Sequence, residues 1–193
     1  SEVLESAGTV DLDPVNARVA EWKGADAIRA ATGHAAPADG LHYRWPDLPS
    51  LRIETRALDK LAAVAAFARV NSIDRRIVEP APAVPARAGI LTAGKAHMDF
   101  MEVLRRLEIT PEELAAHGVR VHKLGLTSPI ETTRMHEFAQ GLAQVLVIEE
   151  KGAVVETQLK QLLFNEPAAS RPLVLGKTDA RGAPLIEAAG ELR

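Results

Sequence analysis

Apolar positions fall into two regimes along the chain. Through residues 1–50 they are scattered and interrupted by Pro14, Gly24, Gly33, Pro37 and Gly40, which predicts an irregular arm with one short helix around residues 14–22. Within "LHYRWPDLPS", Tyr43 and Trp45 alternate while Pro46 and Pro49 forbid a central strand. That segment is expected to run extended and to lay its aromatic rings against the body. From "TRALDKLAAVAAFARVN" onward the spacing is regular. Leu58, Leu61, Ala62, Ala65 and Ala68 recur at helical intervals, so a closely packed amphipathic helix is expected. "RRIVEP" reads as a short strand, and "APAVPARA" (residues 81–88) as a linking loop.

A strand–helix alternation follows. "GILTA" is a short buried strand, and "HMDFMEVLRRL" sets Met98, Phe100, Met101, Leu104 and Leu107 on one helical stripe. "ITPEELAAHG" carries the signals of a small helix: Thr110 as N-cap, Pro111 at the first position, Glu113 completing a capping box, and Gly118 as the stop. "VRVHKLGL" alternates as a strand. "TSPIETTRMHEFAQGL" turns at Pro129 into a helix with Met135, Phe138, Ala139 and Leu142 inward. "VLVIEE" is the next strand, "VVETQLKQLLF" a helix with Val155, Leu159, Leu162 and Leu163 inward, and "PLVLGK" a last strand. Such alternation implies right-handed βαβ crossovers. The predicted fold class is therefore α/β, a three-layer α/β/α arrangement with a mostly parallel sheet over residues 51–193, preceded by the arm (1–50) packing on it.

Composition narrows the function. At 193 residues the length suits one domain, and a net charge of −3 gives no footprint for nucleic acid or an anionic membrane. The 23 basic residues are scattered, and the pairs Arg75-Arg76 and Arg105-Arg106 read as solvated ends of elements. Without cysteine the chain can hold no disulfide, zinc-thiolate or iron–sulfur centre of its own. No apolar run approaches the roughly 18 residues of a membrane span, so a cytoplasmic protein is expected. The six histidines form no H-x-x-x-H or H-E-x-x-H pair, and no metal site is indicated. No G-x-S-x-G elbow surrounds Ser128, and the neighbours Glu149 and Glu150 do not make an acid–base pair. No catalytic residue is assigned.

"GILTAGKA" (residues 89–96) matches the P-loop pattern G-x-x-x-x-G-K, but its four middle residues, Ile90 to Ala93, have the composition of a buried strand. The loop shrinks to Ala93-Gly94-Lys95, and Ala96 lacks the hydroxyl that would hold Mg²⁺. An NTPase reading fails on all three counts. The position still marks a strand handing over to a helix, where exposed amides favour an anion. Three such strand ends are expected along one edge: Thr92 to Lys95 (with Gly94), Gly125 to Ser128 (with Thr127), and Glu149, Glu150 and Lys151. They are candidates either for a contact edge with a partner domain or for an anion or nucleotide site at Gly94-Lys95.

The segments "DGLHYRWPD", "GILTAGKAHMDFMEVLRRLEI" and "GVRVHKLGLTSPIETTRMHEFAQGLAQVLVIEEKGAVVETQLKQLLF" resemble the indolepyruvate ferredoxin oxidoreductases. The corresponding words are Thr92-Ala93-Gly94-Lys95, Lys123-Leu124-Gly125 through Pro129, and Val147 to Lys151. The similar part of that family is the second domain of the α component, with a transketolase C-terminal-like fold. The resemblance implies a domain of a thiamine-diphosphate-dependent 2-oxoacid:ferredoxin oxidoreductase that makes an acyl-CoA. It also implies that thiamine diphosphate, Mg²⁺ and iron–sulfur clusters sit elsewhere in the full enzyme. Implied partners are other domains of the same polypeptide, a second copy in a homodimer, and ferredoxin or a similar acceptor.

Overall fold

The structure is a computed structural model that describes residues 11–43, 45–48 and 50–190. In chain order the elements are α1 (Asp13–Ala20), α2 (Ala25–Thr32), a 3-10 turn (Trp45–Asp47), α3 (Arg52–Val70), β1 (Arg75–Val78), β2 (Ala88–Ala93), α4 (Gly94–Arg106), α5 (Pro111–Ala116), β3 (Val119–Leu124), α6 (Thr132–Ala139), β4 (Gln144–Ile148), α7 (Val155–Leu163) and β5 (Leu173–Leu175). The sheet runs β1-β3-β2-β4-β5. Strand β2 pairs in parallel with β3 and β4, β5 is parallel to β4, and only the edge strand β1 is antiparallel.

Strand alternation divides the sheet's side chains between two helical layers. Leu91, Leu124, Val145 and Val147 point to one face, where they meet Met135, Phe138 and Ala139 of α6 and Val155, Leu159 and Leu163 of α7. Gly89 lies on the same face, and a Cβ there would meet Leu142 at 2.5 Å and Phe138 at 2.8 Å. The bare backbone is what lets α6 approach. On the other face Thr92 meets His97 of α4. The chain is thus a mixed α/β, three-layer domain. Its inward residues on α6 and α7 are those expected, except that Leu162 is only half-buried. Both halves of the Thr110–Glu113 capping box form.

The structure corrects several expectations. The arm contains α2, a second helix bracketed by Gly24 and a left-handed Gly33 (φ 72°), where an irregular segment was expected. Tyr43 lies against the Lys60 ammonium of α3 (3.5 Å), but Trp45 is 84% exposed and does not cover the body. The reason is a buried cation. Arg56 of α3 binds Asp47 (2.9 Å), Asp39 (2.8 Å) and the Gly40 carbonyl, which turns the carboxylates inward and the Trp45 ring outward. The expectation for Pro49 falls outside the described residues.

The same cation fixes the rotation of α3, whose buried side chains are Arg56, Ala66 and Ala68. Leu58 and Leu61, expected inward, are exposed (67% and 49%). On α4 the buried residues are Ala96, His97 and Leu104, whereas Met98 and Leu107 face solvent. Small Ala96 and hydrogen-bonded His97 sit closest to the sheet, so the helix rests on a narrower face than its large apolar residues indicate.

Candidate functional site

Five of the candidate residues meet in one shallow cleft of about 260 Å³ at the carboxyl ends of β2 and β4. Gly94, Lys95, Thr127, Glu149 and Glu150 line it, together with Val154 and Val155 at the start of α7. Gly94 makes the turn from β2 into α4 at φ 54°, a conformation that favours glycine. Thr92, Ser128 and Lys151 are not part of the cleft. Thr92 is 1% exposed and points into the α4 layer. Its hydroxyl is hydrogen-bonded to His97 Nδ1 (2.9 Å) and lies 3.4 Å from the His122 carbonyl. Ser128 precedes a cis peptide at Pro129, and Lys151 sits in a left-handed turn at φ 56°. Both are exposed.

The cleft's charges are met largely from within the chain, although the buried Glu150 Oε1 has no hydrogen-bond partner. Lys95 Nζ lies 2.8 Å from Asp99 and 3.5 Å from Glu150. The hydrogen bond to Asp99, with Glu150 adding to it, holds its pKa above the usual lysine value. Glu149 is almost fully buried, and its carboxylate accepts the N–H groups of Val154 (3.1 Å), Val155 (2.9 Å) and Glu156 (3.0 Å). It therefore caps the amino end of α7, the position where an external anion would bind. Its carbonyl accepts from Lys177 Nζ. Nothing in this arrangement supplies a nucleophile beside a base.

Residues not singled out in the sequence build the neighbouring loop. Gln158 donates to the Thr127 carbonyl (2.8 Å) and accepts from Ile130 N–H (3.1 Å), fixing the loop to α7. Asp74 accepts the N–H groups of Gly125 (2.8 Å) and Leu126 (3.1 Å). An acid ending a strand a few residues before a helix is a readable sign of the Glu149 cap. No local sign marks Asp74, which acts across 51 residues of sequence.

The described geometry defines a three-layer α/β domain with a polar, internally neutralised strand-end edge. Residues 80–193 match the family described as the indolepyruvate oxidoreductase domain, and the chain belongs to that family. The chain is 33% identical over 81 residues to the indolepyruvate oxidoreductase subunit IorA of Pyrococcus abyssi (strain GE5 / Orsay). That stretch covers 42% of this chain and 11% of the relative. Among solved structures, a 2-oxoglutarate:ferredoxin oxidoreductase from Magnetococcus marinus aligns at 17% identity and TM-score 0.41, covering 80% of this chain and 24% of that one. A split-gene transketolase aligns at 18% identity and TM-score 0.39, covering 53% and 31% respectively.

Proposed function

We propose that the chain is a non-catalytic supporting domain of an indolepyruvate or arylpyruvate:ferredoxin oxidoreductase. In the full enzyme it would support the thiamine-binding domains during oxidative decarboxylation of a 2-oxoacid to an acyl-CoA, with ferredoxin or a similar acceptor taking the electrons. The observation that carries this reading is the occupancy of the strand-end cleft by the chain's own groups. Lys95 is neutralised by Asp99 and Glu150, and Glu149 fills the α7 amino end. An edge so satisfied is suited to contact with another domain more than to capture of an anion.

The donor set does not fit the metal–diphosphate unit of such an enzyme. Among the described residues no three His, Asp or Glu side chains group to hold a metal ion, so the ligands for that cofactor would come from elsewhere in the enzyme. Family membership and the exposed apolar residues of α3 add support for a domain that packs against others.

The test is ligand-dependent melting. The change in Tm produced by MgATP is expected to be the same in the wild-type chain and in Lys95→Ala, and the variant is expected to fold normally. A rise of several degrees that Lys95→Ala abolishes would make Gly94-Lys95 a nucleotide site and overturn the supporting-domain reading.

A further inference from the structure

A second cleft, of about 590 Å³, opens at the β1 edge of the sheet, where the turn after α3 and strand β1 meet β3, α6 and the end of α1. Four arginines from three separate parts of the chain line it: Arg18 of α1, Arg75 and Arg76 of β1, and Arg134 of α6. Arg75 and Arg76 are both exposed, as the sequence indicates; Arg76 shares the sheet face of His122, whereas Arg75, opposite Lys123, reaches the cleft only from its edge. Among the described residues Arg18 and Arg75 make no ion pair. Arg76 and Arg134 are paired only at the exposed rim, with Glu79 (3.4 Å) and Glu137 (3.0 Å). Such rim pairs contribute little and give way to a better partner.

The floor of the cleft holds the second observation. His122 stands opposite Arg76 in the β1–β3 register and is 4% exposed. Its ring packs on Phe138 (5.5 Å between centroids), yet neither ring nitrogen has a hydrogen-bond partner. Burial first, then the positive charges of Arg76, Arg134 and Arg120, lower its pKa to about 4. At neutral pH the ring is uncharged and carries one N–H with nothing to bond. A buried polar group left in that state is unfavourable unless something binds it. Two carboxylates also face the cleft. Glu21 sits at its mouth, and Asp74 has one oxygen bonded to Gly125 and Leu126 while the other has no partner.

We infer that this cleft binds the phosphate group of a small phosphorylated molecule, with the guanidinium groups of Arg75, Arg76, Arg134 and Arg18 around the anion and the His122 ring donating from the floor. Guanidinium forks match the geometry of phosphate oxygens in pairs, and four of them exceed the two carboxylates present. The volume lies in the range of small-molecule sites and leaves room for an organic body beyond the phosphate. A long polyanion is disfavoured by the chain's net charge of −3.

Titration calorimetry of the 193-residue chain with pyrophosphate, inorganic phosphate and 5′-AMP, each against sodium chloride of matched ionic strength, tests the site. Binding by pyrophosphate or 5′-AMP is expected, weakened at least tenfold by Arg76→Ala and by Arg134→Ala and unchanged in Arg105→Ala, which lies on the distant α4. Nitrogen-15 spectra are expected to show the His122 ring shifting on addition of ligand while the exposed His117 ring does not. Tighter binding of 5′-AMP than of inorganic phosphate assigns the site to a phosphorylated organic molecule. No heat beyond the chloride control, equal weakening by Arg105→Ala, or an unmoved His122 ring each overturns the proposal. Inorganic phosphate binding as well as or better than 5′-AMP also overturns it, because no organic body is then recognised.

Discussion

His122 is the residue whose surroundings depart furthest from what its neighbours in the sequence imply. "VRVHKL" alternates as a strand, and the alternation sends His122 and Leu124 to the same layer, against Phe138. A ring placed there is desolvated and faces Arg76, Arg134 and Arg120, with the Glu137 carboxylate acting against them. Its folded pKa of about 4 lies below the ordinary histidine value of 6.5. Between those two values the unfolded chain takes up a proton that the folded chain refuses. Stability is therefore complete above pH 6.5 and falls as pH drops toward 4, by on the order of 3 kcal/mol at the limit. Asp74 has the opposite sense, since burial raises its pKa and favours the protonated form at low pH. Replacing only the histidine separates the two. His122→Phe is expected to flatten the fall in urea midpoint between pH 7 and pH 5, and equal slopes for the two proteins would mean the ring titrates freely in the folded chain.

At the scale of elements, helix α7 depends on a carboxylate outside itself. Its N-cap, Val154, offers no side-chain acceptor, and Glu149 at the end of β4 takes the three N–H groups. Glu149→Ala leaves the buried N–H groups of Val155 and Glu156 without an acceptor, while Val154 keeps the Gly152 carbonyl (3.0 Å), and is expected to cost about 2–4 kcal/mol, with Glu149→Gln recovering part of it. Chemical denaturation of the three proteins checks this, and a loss below about 0.5 kcal/mol in the alanine variant would mean that water satisfies the helix end. Strands β4 and β2 were legible because continuous apolar runs between turns leave few alternatives, and β3 because its apolar and polar residues alternate. Helix α5 was legible through Thr110 and Glu113, which sit within one turn of each other. The faces of α3 and α4 were not. On α3 the deciding contact is Arg56 with Asp39 and Asp47, and a polar residue chosen for burial by distant acids defeats any reading of apolar period. The strand-end cleft shows the same limit. Sequence brought Lys95, Thr127, Glu149 and Glu150 to one edge, but that Lys95 is neutralised and Glu149 is a cap depends on side-chain directions that spacing does not encode.

For the whole molecule, the rotation of α3 leaves an apolar stripe in water. Leu58 is 67% exposed, Leu61 49% and Val64 36%, with Leu51 before them at 73%. They recur at helical spacing on one side of the element, away from the buried Arg56. Contiguous apolar surface of this kind is unfavourable in a free domain and becomes favourable when another surface covers it. In the proposed enzyme that surface belongs to another domain of the same polypeptide. Two measurements on Leu58→Glu and Leu61→Glu separate the domain's own stability from its assembly. In the 193-residue chain the unfolding free energy is expected to change by no more than about 0.5 kcal/mol, the range of ordinary surface substitutions, because the side chains are already in water. In the longer polypeptide the same changes place a carboxylate in an apolar contact, and 2-oxoacid-dependent reduction of the electron acceptor is expected to fall together with the assembled fraction on gel filtration. An intact assembly with full activity would place the stripe outside the domain contacts and leave the strand-end edge as the surface that joins this domain to the rest.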